Sequence, residues 1–398
     1  MMRLLAAVLL CVIGLSGSMP QIRTAAAPLP HDAYVWQRAW TPHVISSVSR
    51  SSDHVRAWRL LLAEVDASGR WTAVRIPWAD VQATQRPVIG VIRIDGRLDE
   101  ARIPAMLDQV MARIEPASAA LAGVEIDYDC PTSRLEAYGR FLAALRSRLT
   151  PTLKLSITGL PTWMTSRELE QVTRNLDEIV LQVHAVDDPR RGLFDADQAE
   201  RWVRDFGRRI HRPFRVALPA YDVRVTWRAD GRLLSVEGEM PLRAGATDGE
   251  TLRASPEAVL KFLNAMRLGA PEGLVGVAWF RLPTDADSRA WSLQTWHAVI
   301  AGELPAVRLS AGLVPAERSD LWTVTLSNDA PADAALPRQV RLDPACEAAD
   351  GANGFRLAVA GGPLVLEATG NGRLRANRKR IIGWARCTEP RRVLDVVQ

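Results

Sequence analysis

The chain has 398 residues, 47% of them hydrophobic and 24% charged, the balance of a globular protein able to bury a real core. That length suits one barrel of about 250 residues and a smaller second domain. The formal net charge is +5, yet arginine carries nearly all of the basic side, because Lys154, Lys261 and Lys379 are the only lysines. No basic run exceeds Arg378-Lys379-Arg380, which argues against a nucleic-acid surface.

The N-terminus reads as an export signal over residues 1–27: Arg3, the apolar stretch Leu4 to Leu15, then Ala25, Ala26 and Ala27. That stretch is too short to span a bilayer, and no later segment approaches the roughly 20 apolar residues needed. Cys11 leaves with the signal, and Leu9-Leu10 before it lacks the small residue of a lipidation site. The mature protein is therefore expected to be periplasmic or extracellular, with an uncleaved N-terminal anchor as the alternative. There Cys346 and Cys387 can form a disulfide, closing a loop of about 40 residues worth roughly 3–4 kcal/mol in chain entropy. Cys130, with no histidine close in sequence, reads as a buried free thiol.

From residue 28 to 304, short β-rich runs alternate with stretches of helical period. The expected strands are Ala33–Trp40, Ala57–Val65, Val88–Asp95, Gly123–Asp129, Lys154–Leu160, Glu178–Val186, Arg215–Tyr221 and Gly276–Leu282. The expected helices are Pro104–Ile114, Ser133–Leu149, Ser166–Asp177, Ala196–His211, Pro256–Met266 and Ser288–Ala301. Ser133 followed by Glu136 has the spacing of a capping box. This rhythm predicts right-handed βαβ units, and eight strands predict a closed (β/α)8 TIM-type barrel. No glycine-rich phosphate fingerprint follows the first strand, which argues against a nucleotide-binding doubly wound sheet. Residues 66–87 read as a strand and a poor helix, and 222–253 as an insertion with a hairpin turning at Ala229-Asp230-Gly231. Over 305–398 the runs Ala306–Leu313, Trp322–Ser327, Gln339–Leu342, Phe355–Val359, Leu364–Ala368 and Ile381–Ala385 predict a small C-terminal antiparallel β domain.

The most informative stretch is Gly123-Val124-Glu125-Ile126-Asp127-Tyr128-Asp129-Cys130. In a strand its three acids share one face and the apolar residues the other. Carboxylates on one face of a buried strand are costly, so the pattern points to a purpose. Same-face neighbours lie roughly 6.5–7 Å apart at their backbones, so Asp127 and Asp129 perturb each other. A raised pKa on Asp129 with a charged Asp127 would give a general acid and its electrostatic partner. The alternative is a polar layer inside the barrel, with the acids paired to arginines such as Arg93 or Arg281. For Glu125, deeper in the strand, pairing is the first reading and substrate contact the second.

The order of these motifs resembles the chitinase-type glycoside hydrolases of family 18, whose fourth strand carries Asp-Gly-x-Asp-x-Asp-x-Glu. Laid on this chain, Ala122 takes the first Asp, Gly123 the Gly, Glu125 and Asp127 the next two acids, and Asp129 the final Glu. Gln182-Val183-His184 is similar to their Gln-Met-Tyr strand, and Trp279 resembles the eighth-strand Trp that floors the sugar site. The resemblance implies that Asp129 protonates the leaving oxygen and that Asp127 orients the substrate. Aspartate in place of glutamate withdraws the acid by roughly 1–1.5 Å, a misplacement that can cost about 100-fold in rate. The export signal, barrel and β tail together resemble still more closely a bacterial family, domain of unknown function 3142, which implies no activity.

His184 and Tyr221 end expected strands and border the same mouth, with Asp187 and Asp222 as further carboxylates. Trp36, Trp40, Trp163 and Trp279 lie at or just beyond strand ends, where indole faces suit sugar C–H surfaces as well as core. The expected function is hydrolysis or binding of a polysaccharide, with Asp129 and Asp127 catalytic and Glu125, His184, Tyr221, Trp279 and Trp36 contacting substrate. The competing readings are a non-catalytic carbohydrate-binding or envelope interaction protein, and a metal-dependent deacetylase or phosphoesterase using Glu125, Asp127, Asp129 and His184. No metal motif or Gly-x-Ser-x-Gly elbow is present, and no cofactor is expected.

Overall fold

The computed structural model describes residues 29–96, 98, 100–184, 192–227, 233–237, 249–318, 320–358 and 363–397. The expected export signal over 1–27, Asp187 and the hairpin turn at 229–231 lie outside these.

Eight parallel strands form the barrel: β1 (His31–Val35), β2 (Ala57–Val65), β3 (Val88–Ile94), β4 (Gly123–Asp127), β5 (Lys154–Gly159), β6 (Glu178–Gln182), β7 (Phe214–Pro219) and β8 (Leu274–Phe280). Each pairs with the next and β8 pairs with β1, so the sheet closes on itself. A short strand, Trp71–Ala73, turns back antiparallel on the end of β2. The expected strands ran past several of the true ends. Asp129 lies two residues beyond β4, and residues 36–40 are not strand.

Helices α1 (Pro42–Ser51), α2 (Trp78–Ala83), α3 (Ile103–Ile114), α4 (Leu135–Arg148), α5 (Leu169–Thr173), α6 (Ala196–Arg209), α7 (Pro256–Leu268) and α8 (Leu293–Ala301) follow the strands in turn. In α4, Leu135, Tyr138, Leu142 and Leu145 recur at helical spacing and are buried. The expected capping box does not form. A 3-10 turn over Thr132–Arg134 precedes the helix, and Glu136 instead accepts from Arg140 at 2.6 Å. Asp195 does cap α6, accepting from Gln198 N at 2.8 Å, and Ser255 and Ser292 cap α7 and α8. Helix α1, rich in serine but opened by Pro42, escaped the sequence reading.

The outward faces of the strands and the inward faces of the helices share one apolar core that includes Val124, Ile126, Leu155, Ile157, Phe141 and Trp279. Inside the ring, Tyr34, Trp36, Leu61, Val91, Val180, Ala217 and Ala278 form a separate cluster. The insertion after β7 is a three-stranded sheet with Val223–Trp227 between Leu233–Glu237 and Gly249–Leu252. From Ser310 onward an eight-stranded antiparallel sheet encloses its own core of Leu313, Val324, Leu326, Val340, Leu366 and Ile382. Cys346 and Cys387 stand opposite each other on adjacent strands of it and form a disulfide.

Candidate active site at the barrel mouth

The barrel floor is charged. Arg59 on β2 is fully buried and donates to Asp32 at 3.0 Å, to Glu125 and to Glu178. Arg215 on β7 donates to Glu178 at 3.0 Å and lies 3.2 Å from Asp32. A Cβ at position 276 would fall 2.0 Å from the Arg215 guanidinium, so glycine on β8 makes room for it. Glu125 also accepts from Tyr34 Oη at 2.6 Å and Ser156 Oγ at 3.0 Å. Burial raises its pKa, opposed by Arg59, Tyr34 and Ser156. Its carboxylate is therefore a member of the floor, paired to Arg59.

One layer up, Asp127 accepts from Arg93 Nη1 at 2.8 Å and from Thr158 Oγ1 at 2.7 Å. Its side chain is 6% exposed, whereas that of Asp129 is 49% exposed. Asp129 accepts from Arg93 Nη2 at 2.9 Å and from Gln182 Nε2 at 3.4 Å. The acid ladder thus climbs from a buried floor to solvent, and the anticipated partner Arg93 grips its top two rungs. Burial pushes the Asp127 carboxyl up, Arg93 and Thr158 oppose it, and the Asp129 charge adds to it. The structure thus raises Asp127, the carboxyl that the sequence leads one to expect charged. Arg281, the other anticipated partner, pairs with Asp287 instead.

Aromatic rings gather around Phe280, with centroids 5.0 Å away at Trp36, 5.5 Å at Tyr221, 5.6 Å at Tyr34 and 6.1 Å at His184. Trp36 and Tyr221 are mostly covered, while Phe280 and His184 keep partial exposure. His184 is held neutral, its pKa lowered by burial to about 4 and partly restored by a backbone bond at Ala217 and by the Asp129 charge. Tyr221 is pushed up to about 12, mainly by burial. Asp129 thus shares the mouth with His184 and Tyr221.

Trp279 does not belong there. It is 0% exposed, donates to His31 Nδ1 at 3.0 Å, and packs edge-on against Trp291 and Trp296 under α8. On β8, Ala278 and Phe280 take the lumen and Val277 and Trp279 the helical layer. Strict alternation names Phe280, and that was the signal the sequence offered. Trp163 is likewise core, donating to Cys130 O at 2.8 Å, and Trp40 packs partly buried on the outer core. Asp222 is locked between Arg253 at 2.8 Å and Arg373 at 3.3 Å. Cys130 is a buried thiol pushed up to about 12 by burial, which suits a structural thiol and not a nucleophile.

Among the described residues no three His, Cys, Asp or Glu side chains converge as a metal set. None of the described helices is long and apolar enough to cross a membrane. A cavity of about 440 Å³ lined by Arg167, Arg174, Arg209 and Arg212 lies outside the ring, by the start of β6 and β7, away from the acids.

The family model described as domain of unknown function DUF3142 matches residues 84–285, from the approach to β3 to beyond β8. The chain belongs to this family. A second model, domain of unknown function DUF8456, matches residues 311–388. No curated protein matches the chain. In structure, the DUF3142 barrel is similar to the spore cortex-lytic enzyme SleL of Bacillus cereus, at 12% identity over 70% of this chain and 75% of that one, TM-score 0.51. SleL of Bacillus megaterium QM B1551 gives 12% identity, the same coverages and a TM-score of 0.50. A chitinase from Chromobacterium violaceum ATCC 12472 gives 14% identity over 70% and 99%, TM-score 0.49. At these identities the likeness is one of fold. In this chain the acid ladder occupies the fourth strand of the barrel.

Proposed function

We propose that the protein is an exported, carbohydrate-active barrel whose mouth receives a polysaccharide chain at Asp129. One observation carries this reading: a half-exposed carboxylate, Asp129, follows a buried carboxyl, Asp127, at the C-terminal end of β4, beside His184, Tyr221 and Phe280. Barrel enzymes keep their chemistry at this end of the strands. Aromatic rings suit the apolar faces of sugars. Two carboxyl groups in unlike surroundings are the usual basis of glycosidic acid catalysis. In the hydrolytic form the proton held on Asp127 passes to Asp129, with which it shares Arg93, and Asp129 delivers it to the glycosidic oxygen, leaving the Asp127 carboxylate to stabilise the positive charge that develops on the sugar. The fold shared with cortex-lytic enzymes of two Bacillus species supports a glycan polymer as substrate. The Cys346–Cys387 disulfide supports an oxidising compartment outside the cytoplasm.

A second reading, sugar binding without cleavage, is favoured by Arg93. Both Asp129 oxygens already have protein partners, Arg93 at 2.9 Å and Gln182 at 3.4 Å. Purified mature protein and its Asp129→Asn variant, assayed for turnover and binding on a panel of soluble glycans, separate the two. Turnover abolished by the substitution supports the hydrolase. Binding without turnover supports the binder, and neither binding nor turnover overturns both.

A further inference from the structure

Tyr221 is held in the mouth by the chain that follows β8. Asp222 N donates to Arg289 O at 2.8 Å and Trp291 N to Ala220 O at 3.0 Å, an antiparallel bridge that pins Tyr221 opposite Ala290. The same return segment brings Asp287 to Arg281, whose guanidinium lies 5.5 Å over the Tyr221 ring. Residues 282–291 thus wall one side of the mouth, with no helix or strand of their own.

The segment is held from outside the barrel. Arg375, in the C-terminal domain, donates through Nη1 to Asp285 O at 3.1 Å. Its Nη2 donates to Thr284 O at 3.1 Å, Ala290 O at 3.3 Å and Trp291 O at 2.9 Å. One guanidinium therefore gathers four carbonyls of the wall. Its neighbours are equally fixed. Asp333 accepts from Ser292 N and Ala376 N, each at 2.9 Å, and buried Asn328 donates to Arg375 O at 3.2 Å. Arg373 donates to Ala254 O at 3.0 Å.

We propose that the C-terminal domain is part of the candidate site, with Arg375 as a positioning residue that fixes the 282–291 wall and, through it, Tyr221 and the Arg281–Asp287 pair. The proposal rests on the reading of the mouth as a glycan site and names what shapes that site. A wall released from Arg375 samples many conformations, and ligand affinity falls in proportion to the fraction still competent. Lysine offers a point charge in place of a planar fork and gathers fewer of the carbonyls.

The test uses the full mature chain, as wild type, Arg375→Met and Arg375→Lys, with chitohexaose as the glycan probe. Hydrogen exchange of 282–291 is compared with that of α3, and chitohexaose affinity is measured by calorimetry. In Arg375→Met the wall amides are expected to exchange at least tenfold faster while α3 is unchanged, and affinity to fall about tenfold, with Arg375→Lys between. Unchanged wall exchange overturns the proposal, as does a loosened wall with full affinity. If the wild type binds no chitohexaose, that result counts against the glycan reading alone, and the exchange comparison still decides whether Arg375 fixes the wall. Should the methionine variant fail to fold, the lysine variant decides by the same criteria.

Discussion

Arg93 reaches Asp129 at 2.9 Å with one guanidinium nitrogen while the other holds Asp127 at 2.8 Å. A single cation therefore bridges the two carboxyl groups on which the proposed chemistry depends.

Replacing Arg93 with methionine should destabilise the fold by about 3 kcal/mol, the lower end of the range for stripping one partner from a buried pair. The loss should depend on pH. The Asp127 pKa is raised in the fold, so the native state holds its proton more tightly than the unfolded chain. That contribution is present below the unfolded pKa and is lost as pH rises toward the folded one. Without Arg93 the rise grows, so urea denaturation of Arg93→Met should show stability falling as pH rises above the unfolded carboxyl value of 3.8, more steeply than in the wild type. A loss that does not vary with pH would contradict this account of Asp127.

The barrel floor makes a contrasting case. Arg59→Met strips the common cation from Asp32, Glu125 and Glu178 and should cost about 4–5 kcal/mol. Glu125→Gln leaves Arg59 two carboxylates and should cost about 1–2 kcal/mol. Because Glu125 lies beneath Asp127, its substitution should leave glycan affinity unchanged in calorimetry. A tenfold loss would give Glu125 the substrate-contact role that the sequence offers as its second reading.

Neighbouring rings on β8 should behave oppositely. Trp279→Ala opens a cavity against Trp291 and Trp296 and should cost about 4 kcal/mol with affinity intact in whatever remains folded. Phe280→Ala should cost about 2 kcal/mol, because the ring is only partly buried, and weaken glycan binding at least tenfold.

His31 should govern part of the acid limb of stability. Its Nδ1 accepts from the Trp279 indole, so the ring must be neutral, and its pKa is lowered to about 4, by burial first and then by the Arg267 charge. A lowered histidine contributes stability that is full above the unfolded pKa near 6.5 and is lost as pH falls toward about 4. His31→Gln should flatten the melting-temperature curve over that window, and an unchanged slope would refute the assignment.

Much of this fold was legible because barrel strands, buried on both faces, read as short apolar runs at regular spacing. The acid ladder was legible for the same reason, since Glu125 and Asp127 break such a run with period two. Which of its acids would be raised was not legible. That depends on Arg93, Thr158 and the depth of each rung, and these come from three strands distant in sequence. Trp279 carries the resemblance to a sugar-floor residue, but the alternation of β8 turns it to the helical layer and Ala278 to the lumen. The positions of Arg373 and Arg375 could not be foreseen either, because the packing of the C-terminal domain on the loop after β8 leaves no local pattern.

The most direct test of the central claim is a crystal structure of the mature protein soaked with a saturating chito-oligosaccharide. The account predicts a sugar ring against Phe280, with an oxygen of the glycan within about 3 Å of Asp129. A sugar seated elsewhere on the molecule, with the mouth still empty, would contradict it.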